Sequence, residues 1–175
     1  MISPSFRPAA PADVPALHRL IESAYRGESA KAGWTHEADL LGGQRTDEAE
    51  LRGILADAGR VILLAEIGGL LIGCVQAADQ GEGLAYLGLL TVEPSRQAGG
   101  LGRLLIGAAE AEAVARFGAS RIEMTVIRQR SELIAWYERR GYALTGETRP
   151  FPLDETTVGL SDRDLTFVVM EKALK

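Results

Sequence analysis

The sequence predicts an α/β (α+β) fold with elements in the order βααβββαβαββ. Apolar residues recur at helical spacing in four segments, and short runs rich in Leu, Ile and Val lie between them. Glycine or proline marks most junctions between the two patterns.

The run SFRPA (5–9) reads as a short first strand, and residues 12–25 place Val14, Leu17, Leu20, Ile21 and Ala24 on one helical face. Asp13 is the expected N-cap of that helix, with Gly27 past its end. Residues 28–45 lack sustained periodicity and read as a loop. A second helix follows over 46–58, with Thr46 as N-cap and Gly59 beyond it. RVILLAEI and LLIGCVQA then form strands joined at Gly68-Gly69, a pair suited to the positive φ angles of a tight hairpin. LAYLGLLTV (84–92) is the next strand. The helix over 101–117 carries a stripe expected at Leu104, Leu105, Ala108, Ala111 and Ala115, small enough for close packing on a sheet. RIEMTVI is a strand, SELIAWYERR a short helix capped by Ser131, and YALTGE and DLTFVVME are the last strands.

With 175 residues and no Ser/Pro/Gly-rich linker, one domain over 1–175 is expected. The composition, 46% hydrophobic and 25% charged, is ordinary for a soluble globular chain. No apolar run reaches membrane length and the N-terminal stretch does not resemble a secretory signal, so the expected setting is cytoplasmic with no membrane partner. A net charge of −5 argues against a nucleic-acid partner. The charge is uneven: eight arginines against five glutamates between Arg96 and Arg140 leave a local +3. Cys74 sits within an apolar run and reads as buried filler, not a nucleophile. Two histidines and one cysteine are too sparse for a metal site, and His18 reads as structural.

The stretch VEPSRQAGGLGR (92–103) joins a strand to a helix through Gly99, Gly100 and Gly102. A helix N-terminus offers unpaired N–H groups to an anion, and glycines allow close approach, so this is a phosphate-cradle pattern. Such turns also occur without any ligand. No lysine follows, which excludes a P-loop, and GxGxxxxG misses the dinucleotide spacing.

Gln97-Ala98-Gly99-Gly100-Leu101-Gly102 is Q-x-x-G-x-G and resembles the acyl-CoA-binding motif of the GNAT (GCN5-related N-acetyltransferase) superfamily. LGLLTVEPSRQAGGLGRLLI (87–106) resembles that family's fourth strand, pyrophosphate loop and third helix, and LIAWYERRGY (133–142) its motif B. The resemblance implies a GNAT-type mixed, mostly antiparallel central sheet flanked by helices, with acetyl-CoA as co-substrate and no metal. It further implies a bulged strand that splays from its neighbour, so that backbone groups pair with pantetheine. Leu90, Thr91 and Val92 would make those contacts, and Gln97, Ala98, Gly99, Gly100, Leu101, Gly102 and Arg103 would hold the pyrophosphate. Arg96, Arg128 and Arg130 are nearby cations for the remaining phosphate. Arg130 departs from the family's frequent asparagine at this position.

By the same resemblance Tyr137 is the general acid: a phenol of pKa ~10 can protonate a leaving thiolate. It can also be read as core packing beside Trp136. The base is less determined: Glu82, Glu93 and Glu123 are the carboxylates near the relevant strands and none stands out, with Glu93 carried as the catalytic candidate. The loop at 27–45 offers Trp34, His36, Glu37 and Asp39 as acceptor-binding groups, an aromatic with two carboxylates that suits an ammonium. The 148–162 segment can wall the same pocket. The expected reaction is acetyl transfer to a primary amine of a small molecule. A protein N-terminus or lysine as acceptor, or a noncatalytic acyl-CoA sensor, are the competing readings. A homodimer is compatible with the family.

Overall fold

The computed structural model describes residues 2–25, 41–42, 46–97, 99–150, 158–159 and 165–175. The elements in chain order are β1 (Ser5–Pro8), α1 (Val14–Tyr25), β2 (Leu41–Gly42), α2 (Glu48–Ala56), β3 (Arg60–Ile67), β4 (Leu70–Gly81) and β5 (Leu84–Val92). They continue as α3 (Leu101–Phe117), β6 (Arg121–Ile127), α4 (Ser131–Glu138), β7 (Ala143–Pro150), β8 (Val158–Gly159) and β9 (Thr166–Ala173). Seven strands form a sheet in the order β1-β3-β4-β5-β6-β9-β7. Every pairing is antiparallel except β5 with β6. The two-residue β2 and β8 pair as a separate ribbon, an addition to the expected order.

Strand alternation divides the core between the two faces. Ile62, Leu64, Cys74 and Leu89 pack under Val14, Leu17, Ile21, Leu51 and Ile54 of α1 and α2. Leu63, Ala65, Val75, Ala77, Ala85 and Leu87 face α3 and α4. The predicted stripe of α3 is out of phase: Leu101, Leu105, Ile106, Ala109 and Ala113 are buried, whereas Leu104 is 47% exposed. The helix is apolar or small around much of its circumference, so periodicity alone leaves its rotation undetermined. Its docking against β4 and α4 selects the phase.

Three cap assignments shift. Asp47, not Thr46, caps α2 by accepting from Glu50 N at 2.7 Å, and Thr46 instead donates to the Glu50 carboxylate at 2.6 Å. Ser131 is the first residue of α4 and Arg130 precedes it as N-cap. Asp13 closes a 3₁₀ turn, Pro11–Asp13, before α1 and reaches back to Ala10 N at 2.8 Å. His18 is structural, with Nε2 3.1 Å from the Thr46 carbonyl oxygen. The hairpin at Gly68-Gly69 has positive φ at both residues, 58° and 78°, as expected for its turn type.

Asp13 also binds Arg7 of β1 at 2.8 Å, and Arg7 bonds Glu66 of β3 at the same distance. Hydrogen bonding from Arg7 holds the Asp13 carboxyl below its ordinary value. A carboxyl depressed on folding contributes stability that is complete above its unfolded pKa of about 4 and lost as pH falls through the folded value. Arg7→Ala should therefore flatten the acid limb of the stability-pH profile below about pH 4. Urea midpoints measured across that range for both proteins check it.

Candidate functional site

The chemistry-bearing elements meet where β5 leaves β6. Their parallel ladder pairs only Leu84–Tyr86 with Arg121–Glu123, and no rung forms farther along either strand. On its other side β5 carries a bulge, because Cys74 pairs with Thr91 and Gln76 with Gly88. Leu89 and Leu90 thus oppose Val75 alone. Leu89 lies at φ 51°, a left-handed conformation uncommon for leucine. Its carbonyl, turned out of the ladder, accepts the buried Thr91 hydroxyl at 2.8 Å and the Cys74 thiol at 3.4 Å. Cys74 is therefore filler with an added hydrogen-bonding task.

After β5 the chain turns through Pro94–Arg96 and enters α3. Gln97 Nε2 donates to the Val92 carbonyl at 3.2 Å, which pins the loop to the strand end. Gly100 is the N-cap of α3 at φ 85°, and a Cβ there would meet nothing within 4 Å. No side chain caps this terminus, nor that of α4. Both helices start from the C-terminal ends of neighbouring parallel strands, so both positive ends lie on one edge of the sheet. Gly102 has another reason: a Cβ there would stand 3.3 Å from the Trp136 ring. This glycine lets α3 and α4 meet. Together these features fit a diphosphate with a peptide-like arm, the chemistry of CoA.

The predicted residues fall in this region, with differences. Leu90, Thr91 and Val92 lie on the bulged part of β5, Thr91 spending its side chain on the bulge. Leu101 is buried in the core and brings only backbone to the loop. Arg103 is exposed in the first turn of α3. Arg130 stands at the start of α4. Ala98 and the acceptor set Trp34, His36, Glu37 and Asp39 lie outside the described residues. The local +3 does not gather wholly at the loop. Arg116 and Arg121 pair with Glu112 and Glu171 elsewhere, and Arg140 stacks on Trp136 at 4.3 Å.

Tyr137 is 7% exposed, edge-to-face with Trp136 at 5.1 Å and Tyr142 at 6.0 Å. Tyr142 donates its hydroxyl to Glu110 at 3.0 Å, and Lys172 joins the same carboxylate. Burial, and then the Glu110 charge, push the Tyr142 phenol far above its usual range. Glu93 accepts from Ser95 and lies 4.0 Å from Arg96.

A cavity of about 500 Å³ opens on the face shared with α1 and α2, lined in part by Arg60, Gln76, Tyr86, Glu123 and Arg149. It adjoins the last β5–β6 rung, Tyr86 with Glu123. The buried Glu123 is gripped by Arg149 at 3.1 and 3.2 Å, and this bonding raises the Arg149 pKa further. Tyr86 and Thr125 share a hydrogen bond of 2.9 Å. Gln76, Arg60 and Arg149 had no motif to reveal them; strand pairing brings them together. Among the described residues, no cluster of three or more His, Cys, Asp or Glu is placed to hold a metal ion, and no helix is long and apolar enough to cross a membrane.

A bulged strand that leaves its parallel neighbour beside a glycine-led helix start is the arrangement the sequence resemblance implied. The chain matches the Acetyltransferase (GNAT) family over residues 15–142 and belongs to it. The ribosomal-protein-S18-alanine N-acetyltransferase from Escherichia coli superposes with a TM-score of 0.73 at 16% identity, covering 98% of this chain and 94% of that one. Salmonella typhimurium yncA, solved with its cofactor acetyl-CoA, gives 0.70 at 20%, covering 99% and 95%. The spermidine/spermine N-acetyltransferase SpeG from Vibrio cholerae, complexed with manganese ions, gives 0.69 at 17%, covering 98% and 92%. No curated protein sequence matches the chain.

Two substitutions test the geometry. Thr91→Val removes a donor from the Leu89 carbonyl and should cost about 1 kcal/mol in denaturant unfolding while weakening acetyl-CoA binding. Gly100→Ala forces a left-handed alanine, costs about 1 kcal/mol and raises the KM for acetyl-CoA severalfold.

Proposed function

We propose that the protein transfers acetyl from acetyl-CoA to the primary amine of a small molecule. The observation that carries this is the unladdered length of β5 flanked by the glycine loop on one side and a polar cavity on the other. The donor's peptide-like arm pairs along Leu90–Val92 while the amides from Gln97 to Arg103 and the charge of Arg103 and Arg130 receive its phosphates. The acceptor comes from the opposite face, and the two meet in the gap between β5 and β6.

The amine gives up a proton as its nitrogen forms a bond to the thioester carbonyl carbon; the C–S bond breaks and the thiolate takes a proton. We assign that last proton to Tyr137. Tyr142 is its neighbour, but the Tyr142 hydroxyl is committed to Glu110. For the base, Glu93 turns to Ser95 and Arg96, whereas Glu123 lines the cavity, and the cavity position favours Glu123. Comparing Glu93→Gln with Glu123→Gln separates them, since only the base should shift the acid limb of kcat/KM.

Release of CoA thiol, followed across a panel of amines, amino acids and peptides, tests the function. Acetyl-CoA binding with no turnover on any acceptor would favour a sensor instead. Tyr137→Phe should lower kcat by about 100-fold or more and leave the dissociation constant for acetyl-CoA within about twofold. Unchanged turnover removes Tyr137 from this role.

A further inference from the structure

The cavity contains polar groups that the transfer step leaves unused. Gln76 is 5% exposed and lines the cavity, yet its carboxamide has no hydrogen-bond partner among the described residues. Its amide atoms are open to the cavity and not sealed in the core, which leaves them available to a ligand. Its strand position is also informative. Gln76 pairs with Gly88, the residue just before the bulge.

Arg60 is the second such group. It opposes Ala78, two residues from Gln76 along β4, or about 7 Å. Its guanidinium has no carboxylate bonded to it among the described residues. Arg149, the other cation of the wall, is already spent on Glu123 and Glu147. Asp57 and Asp79 each turn one oxygen to a backbone N–H, of Gly59 and Gly81. The cavity therefore presents one uncommitted cation and one uncommitted carboxamide, on a single face and within the span of a small molecule.

We propose that this cavity selects the acceptor, and that the acceptor is an amino carboxylate: its carboxylate binds Arg60 and its amine donates to the Gln76 carbonyl oxygen. This rests on the N-acetyltransferase reading. Asp57, Asp79 and Glu123 also line the wall, so the choice of an amino acid over a polyamine rests on Arg60, which has no carboxylate bonded to it among the described residues. A volume of about 500 Å³ suits a small molecule.

The test uses the full chain and matched acceptors, lysine with cadaverine and phenylalanine with phenethylamine, plus spermidine. CoA release should show a kcat/KM at least about tenfold higher for an amino acid than for its decarboxylated partner. Arg60→Gln should erase that preference, raising the acceptor KM about tenfold without changing the KM for acetyl-CoA, and Arg60→Lys should restore part of it. Gln76→Leu should weaken amino acid and amine alike. Equal or better use of the decarboxylated amines or spermidine, or a preference that survives Arg60→Gln, overturns the inference while leaving acetyl transfer intact. Calorimetric titration of the same amino acids reads the cavity without turnover. Arg60-dependent binding supports the inference even if no acceptor is acetylated, and absence of binding to a folded, acetyl-CoA-competent chain overturns it.

Discussion

The bulge at Leu89 and Leu90 is the constraint on which the rest of the site depends. An extra residue on β5 turns the strand away from its neighbour, and the ladder to β6 stops after three rungs. Without an internal solution the displaced Leu89 carbonyl would be buried and unpaired, which opposes the bend. Thr91 and Cys74 supply that solution from within the core. The gap between strands is thus held by the same packing that holds the fold.

Topology then sets which elements meet at the site. β5 and β6 are the parallel pair, and α3 and α4 leave from their C-terminal ends, so two helix N-termini share the edge at which β5 ends. An anionic group placed there would meet backbone dipoles. The opposite face is left to α1, α2 and, beyond their cover, the polar cavity. On the proposed reading, donor and acceptor occupy opposite faces and do not compete for the same wall. On that reading they meet where the β5–β6 ladder ends early.

Much of this was legible in the chain. The boundaries of β3, β5, β6 and α3 coincide with the runs that predict them, because turn, glycine or cap-forming residues lie close to their ends. The Q-x-x-G-x-G loop and the tyrosine of α4 are local patterns, and local patterns survive in a sequence. The phase of α3 was not legible, since small residues surround it and only contact with β4 and Trp136 sets its rotation. The cap at Asp47 in place of Thr46 turned on one residue of backbone conformation. Gly102 belonged to the expected motif, but its nearest constraint is the Trp136 ring.

The sequence by itself predicted the order of the main elements and located the glycine-led loop and Tyr137, because each depends on residues close in the chain. Only the tertiary structure decided that Gln76, Arg60, Glu123 and Arg149 share one cavity. They come from four strands and lie up to 89 positions apart, from Arg60 to Arg149. Strand register, a property of the pairing between distant segments, is what places their side chains on the same face.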